Sequence, residues 1–172
     1  SELQKLDSMT MFPIDILFYR YFICNMEGVD GNENPVMQNP KVREAILYAI
    51  DRETLATQLF PELANVINSG VPNSYEEYNG VSYDYDPEKA KQILDDAGIV
   101  DTDGDGIREK DGARAEFTML YPASDSVRQA LAEDTKNQLS ELGIEVTTEG
   151  VDWDTAYTRA ESEPLVWGWG AH

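Results

Sequence analysis

The chain has 172 residues, 41% of them hydrophobic and 27% charged, which suits one domain with a real buried core. Thirteen basic residues against 33 acidic ones leave a formal charge of −20. That balance argues against nucleic acid and anionic membrane surfaces, which both need cationic patches, and leaves solubility or a preference for cationic ligands as its meaning.

No apolar run approaches the ~18 residues of a membrane span. The single cysteine, Cys24, sits among Phe22, Ile23 and Met26 and reads as a buried apolar side chain. The single histidine, His172, is the last residue, so a serine–histidine hydrolase or a histidine-rich metal site is hard to build here.

Residues 1–13 carry little pattern. Ile14 to Met26 is the most β-prone run and is apolar on both sides, as for a strand buried on two faces. Arg20 interrupts it and calls for a carboxylate or carbonyl partner. Glu27 to Gln38 reads as a turn-rich loop. Asn39-Pro40 starts a helix whose apolar face is Val42, Ala45, Ile46, Ala49 and Ile50. Asp51 to Leu59 continues it or starts a second one, with Leu55 and Leu59 facing inward, and Pro61 stops it. Ion pairs with Glu44, Asp51 or Glu53 are the expectation for Arg43 and Arg52. Ala64 to Tyr83 is mostly loop, with Val66-Ile67 as a brief strand.

The next helix has both ends written into it. Asp86 caps it, Pro87 takes the first position, and Gly98 ends it in the left-handed conformation. Ala90, Ile93, Leu94 and Ala97 share one face. An acidic, glycine-rich loop follows from Asp101 to Gly112, then a strand from Ala115 to Tyr121 with Phe117, Met119 and Tyr121 on one side. A long helix runs from about Asp125 to Leu142, with Ser124 as its candidate cap, an inner side of Val127, Leu131, Leu139 and Leu142, and Gly143 as its stop. Ile144 to Val151 is a strand, Asp152 caps a short helix from Trp153 to Ala160, and Leu165 to Trp169 is the final strand after Pro164. Strands and helices alternating in this way predict an α/β fold with a mixed, largely parallel sheet flanked by helices. A domain seldom ends on an aromatic strand, so the expectation is one α/β unit over 1–172, cut from a longer protein.

Five stretches carry a family resemblance. NPKVREAILYAIDRETL, YDYDPEKAKQILDDAG, DTDGDGIREKDG, LGIEVTTEGVDW and LVWGWGAH resemble, in this order, segments of the peptide/nickel class of extracellular solute-binding proteins (family 5). The match runs from about Phe18 to His172. The resemblance implies one lobe, the second, of a type II periplasmic-binding-protein-like fold. It implies a receptor, not an enzyme, that captures oligopeptides, nickel chelates or similar solutes by hinge closure. The implied partner is the membrane permease of an ATP-driven importer, and the implied parent is an extracellular or periplasmic lipoprotein, monomeric and with no required cofactor.

Three features could carry chemistry. Trp167, Trp169 and Gly170, with His172, offer an apolar wall next to glycines that admit a ligand to the backbone. In the resembled family this stretch lines the cleft, and peptide-binding members often follow it with an acid. His172 stands there instead, which leaves metal chelates and small cationic ligands open. Both tryptophans fall on one strand face, either in the core or in the cleft. Asp101, Asp103 and Asp105 before Gly106 open like a calcium loop, but the twelfth position, which should be a bidentate glutamate, is Gly112. Glu109 and Asp111 are the substitutes, and a solvated hairpin is the alternative. The carboxylate pairs Asp84/Asp86, Asp95/Asp96 and Glu161/Glu163 read as solvated. A hydrolase would need two buried acids about 5–9.5 Å apart. A calcium-stabilised interaction domain is the other alternative to a receptor lobe.

Overall fold

The computed structural model describes residues 18–24, 35–61, 63–70, 80 and 82–170. His172, and the parts of the expected first strand and loop that fall in 14–17 and 25–34, lie outside them. The elements are β1 (Phe18–Ile23), α1 (Pro35–Gln38), α2 (Pro40–Ala49), α3 (Arg52–Leu59), α4 (Pro87–Asp96), β2 (Glu109–Lys110), β3 (Ala113–Arg114), β4 (Glu116–Pro122), α5 (Ser126–Glu141), β5 (Glu145–Val151), α6 (Trp153–Arg159) and β6 (Leu165–Gly170). No helix among the described residues is long and apolar enough to cross a membrane.

The main sheet has the order β1-β6-β4-β5. β4 runs parallel to β5 along its whole length and parallel to β6, while β1 closes the edge antiparallel to β6. The alternation expected from Phe117 to Tyr121 sorts β4 between two cores. Met119, Phe117 and Tyr121 pack with Val146, Val166 and the buried faces of α2, α4 and α5. Leu120 points the other way, into a smaller core with Val151, Ala156 of α6, Leu165 and Trp167. The sheet is thus covered on both faces, as parallel strands require.

The helix termini follow their capping residues. Asn39, Asp51, Asp86 and Asp152 each accept a hydrogen bond from a backbone N–H of the first turn. Gly98 and Gly143 take φ of 69° and 82° directly after α4 and α5, where a side chain would strain the turn.

The structure departs from expectation at six points. β1 is half-buried to exposed and not buried on two faces, because it lies at the sheet edge with β6 as its one partner strand among the described residues. Pro35–Gln38 forms a helical turn rather than loop: Pro35 presets the first φ and Val36 is buried in the main core. Val66-Ile67 forms no strand, because the Ile67 carbonyl accepts from Arg52 Nη1 at 3.3 Å. Arg43 and Arg52 make no ion pair with their acidic neighbours. Arg43 donates to the Gln38 carbonyl at 2.6 Å and Arg52 to those of Ile67 and Tyr83, so both tie loops to helices. The cap of α5 is Asp125, not Ser124. Finally, the inner side of α5 is as expected at Leu139 and Leu142, which are buried, and at Leu131, which packs half-buried on the main core, but its first half turns so that Arg128, Ala132 and Thr135 are buried and Val127 is half-buried.

Candidate functional site

The connections around β4 leave in opposite directions. From β4 the chain passes through α5, on the main-core face, to β5 on one side. From β5 it returns through α6, on the other face, to β6 on the opposite side of β4. Neighbouring parallel strands whose connections leave in opposite directions mark a topological switch point, and ligands of open α/β sheets bind just beyond the carboxyl ends there. Here β4 and β6 pair at Leu120 and Leu165, so β6 runs on past the end of β4.

Arg128, in the first turn of α5, lies against β6 at Gly168. Its side chain is 8% exposed, is ion-paired with Asp125, and lies 5.4 Å from the Trp153 ring centroid and 5.9 Å from that of Trp167. Cation–π contact of this kind strengthens as water is excluded. The room comes from Gly168: a Cβ there would lie 2.8 Å from Arg128 Nη2 and 2.8 Å from Phe18 Cζ. Arg20, opposite Gly168 in the β1–β6 ladder, lies over the Phe18 and Phe60 rings at 5.0 and 5.1 Å. The expected carboxylate or carbonyl partner of Arg20 is absent among the described residues; aromatic faces take its place. Nε of both Arg20 and Arg128 is buried with no hydrogen-bond partner. A buried donor left unpaired costs about 1–3 kcal/mol.

The charges respond to this crowding. Burial is the largest influence on Arg20 and pulls its pKa below the ordinary arginine value; Asp125 opposes and Arg128 reinforces the shift. Burial works to raise the Asp125 carboxyl, yet hydrogen bonds from the Arg128 backbone and guanidinium, with the charges of Arg128 and Arg20, hold it below the usual aspartate range.

The tryptophans divide the work. Both lie on the α6 side of β6, as expected from their spacing, but Trp167 is 8% exposed and Trp169 is 59% exposed. Trp167 meets the rings of Trp153 and Tyr157 edge-on at 5.5 and 4.9 Å. Trp153 donates through Nε1 to Ser124 Oγ at 3.2 Å, so the residue expected to cap α5 instead holds this cluster. Trp169 presents its indole to solvent at the rim, next to half-buried Gly170, which pairs with Phe18. Arg128, Asp125 and Trp153 were not singled out as site residues from the sequence. An arginine one turn into a helix that starts just after a strand was the available signal.

The acidic loop forms a separate cluster. Asp101 accepts from the N–H groups of Gly104 and Gly106 at 2.7 and 2.9 Å, and Asp103 from that of Asp105 at 3.1 Å. Asp105 turns to Arg114, which holds its carboxyl below the usual range together with the Ile107 N–H. Asp111 sits at the β2–β3 turn with a φ of 54°. The structure brings Asp101 and Asp103 together with Glu109, not with Asp105 or Asp111; one ligand atom from each of the three lies within 4.8 Å of the others. A cavity of about 370 Å³ beside this loop, at the amino end of β5, is lined by Asp95, Arg108 and Glu141 among others. Arg108 is engaged there, donating to Leu142, Ile99 and Asp95, so the cavity is walled by a structural strut. The pairs Asp84/Asp86 and Asp95/Asp96 are exposed, and Glu163 is bonded to Arg159.

A largely parallel four-stranded sheet covered on both faces by helices is an α/β architecture of the periplasmic-binding-protein-like kind. The chain belongs to the family described as bacterial extracellular solute-binding proteins, family 5 middle, whose profile matches residues 2–172. The oligopeptide-binding protein AppA of Bacillus subtilis (strain 168) is 33% identical over 148 residues, which cover 81% of this chain and 27% of AppA. The nickel-binding periplasmic protein of Escherichia coli (strain K12) is 28% identical over 129 residues, 69% of this chain and 23% of that protein. The structure of B. subtilis AppA in complex with a nonapeptide superposes with a TM-score of 0.77 at 30% identity, covering 91% of this chain and 32% of that one. NikZ from Campylobacter jejuni in complex with Ni(L-His) reaches 0.81 at 25% identity, covering 99% and 33%. The chain therefore spans about a quarter to a third of the length of these relatives.

Proposed function

We propose that this chain is the ligand-facing part of one lobe of an extracellular or periplasmic solute receptor that serves an ATP-driven importer. The receptor captures a small solute, an oligopeptide or a metal chelate, between this lobe and one supplied by the rest of a longer chain. It closes by hinge motion, makes and breaks no bond, and delivers its ligand as a monomer to a membrane permease. A lipid anchor on the parent keeps it at the membrane.

The observation that carries this reading is exposed Trp169 near the carboxyl end of β6, where that strand has run past the end of β4. Ligands of open α/β sheets bind beyond the carboxyl ends of the strands, and an indole left 59% exposed there supports contact with one. The relatives are named for oligopeptide and nickel binding, which supports the solute class. Isothermal titration of the full-length receptor against oligopeptides and nickel chelates tests it. Micromolar binding of either class is the expected result; no heat with either overturns it.

The acidic loop supports a second, structural reading, a calcium clip on Asp101, Asp103 and Glu109, whose clustered oxygens are hard ligands. A ligand that binds only the folded state raises the melting midpoint. Calcium should do so and chelator reverse it; identical midpoints in both would remove the clip.

A further inference from the structure

We propose that the Asp111-Gly112 step, at the tip of the β2–β3 hairpin, is a modification site at which aspartate converts to isoaspartate, and that the fold shields the neighbouring Asp103-Gly104 and Asp105-Gly106 steps from the same reaction.

The reaction joins two groups of adjoining residues. The backbone nitrogen of the glycine attacks the aspartate side-chain carboxyl carbon. A carbon–nitrogen bond forms, and the carboxyl hydroxyl leaves as water with the amide proton. Water then opens the cyclic imide at its main-chain carbonyl, so the chain runs on through the side-chain carbon and its mass is unchanged. Glycine favours the attack because no β-carbon crowds its nitrogen. The sequence has four such steps, of which Asp30-Gly31 lies outside the described residues.

The other three differ in what holds the reacting groups. Gly104 N–H donates to Asp101 Oδ1 at 2.7 Å and Gly106 N–H to Asp101 Oδ2 at 2.9 Å, so one carboxylate engages both attacking nitrogens. The target carboxyls are engaged too. Asp103 accepts from Asp105 N–H at 3.1 Å, and Asp105 accepts from Ile107 N–H at 2.8 Å and from Arg114. Arg114, then the Ile107 N–H, keeps the Asp105 carboxyl below its usual range and so in the anionic form, which is a poor target for attack.

At Asp111 neither group is held. Both residues are exposed, and neither the Asp111 carboxyl nor the Gly112 N–H has a partner among the described residues. Asp111 is also the one non-glycine among the described residues with a left-handed φ, 54°, followed by Gly112 at 81°. A two-residue hairpin turn asks for that pair of conformations, and a side chain adopts its half of it under strain. The pairs Lys110–Ala113 and Glu109–Arg114 close over the turn. Isoaspartate adds a methylene to the main chain there, so the modified chain loses that register and with it the place of Glu109 beside Asp101 and Asp103.

The test ages the full chain at neutral pH, folded and in urea, and maps isoaspartate peptide by peptide, by enzymatic methyl labelling and fragmentation mass spectrometry. In urea the three steps should react at similar rates, since each places glycine after aspartate. In the folded chain Asp111 should lead Asp103 and Asp105 by about tenfold or more. Asp101→Ala should bring Asp103 and Asp105 up towards the Asp111 rate. No isoaspartate at Asp111 in the folded chain, equal rates at all three steps there, or the same ratio folded and in urea would each overturn the proposal. Continued protection of Asp103 and Asp105 in Asp101→Ala would overturn the shielding. Solute plays no part in the measurement, so the receptor reading stands or falls separately.

Discussion

Arg128 Nη2 lies 2.8 Å from the point where Gly168 would carry a β-carbon. The first turn of α5 and the last strand are thus fitted to one another through the absence of a side chain. Gly168→Ala would also meet Phe18 Cζ at 2.8 Å and the Tyr19 carbonyl oxygen at 3.1 Å. The guanidinium tip can move, but the strand backbone cannot without opening the β1–β6 ladder. Overpacking of this kind costs about 1–3 kcal/mol. Urea denaturation should show a lowered midpoint for Gly168→Ala, with an unchanged midpoint refuting the fit.

The two tryptophans of β6 should separate stability from binding. Trp167→Ala removes a buried ring packed against Trp153 and Tyr157 and should cost about 3–5 kcal/mol. Trp169→Ala, at an exposed site, should stay within about 0.5 kcal/mol of the parent while weakening solute binding by the full-length receptor. Denaturation curves and calorimetric titration on the same proteins check both halves. A large stability loss in Trp169→Ala with unaltered affinity would assign that indole to packing.

Acid should reach the site through Asp125. Its folded pKa lies below the ordinary value, so its stabilising contribution is complete above about pH 4, the unfolded value, and is lost as pH falls through the lower folded one. Glu149, Asp105 and Asp152 are shifted in the same direction, so Asp125→Asn should flatten only part of the acid slope. Asp125→Asn keeps a side-chain acceptor for the Val127 and Arg128 N–H groups but strands the guanidiniums. Stability curves at pH 3, 4 and 7 should converge for the two proteins at the acid end. Parallel curves would show that Asp125 is not a source of the slope.

Arg159 ties α6 to the sheet. It holds Glu149 of β5 through two parallel bonds of 2.7 and 2.9 Å and also binds Glu163. All three side chains are partly exposed, so the bidentate geometry should contribute only about 0.5–1 kcal/mol. A double-mutant cycle of Arg159→Met and Glu149→Gln should return that coupling in low salt and less in 1 M salt. A coupling of zero in low salt would make the network ornamental.

Helix boundaries were legible because capping is local. Asp86, Pro87 and Gly98 mark α4 within one residue, and Asp152 marks α6, since each cap depends on backbone groups two or three positions away. The alternation of β4 was legible for the same reason, as was the shared face of Trp167 and Trp169. Ser124 misled because its hydroxyl is engaged by Trp153, 29 residues later, which no local rule can see.

By itself, the sequence determined most of the helices and strands, their order, the one-sided alternation of β4 and the family, but not α1 or the edge position of β1. The features it determined depend on periodicity, on caps and on chain-neighbour chemistry. Tertiary structure alone decided that Trp167 is sealed while Trp169 is open, that Arg128 packs against Gly168 of β6, and that Glu109 joins Asp101 and Asp103 while Asp105 leaves for Arg114. Burial and charge pairing depend on which distant residues share a space, and that follows from the path of the connections over the sheet, not from spacing along the chain.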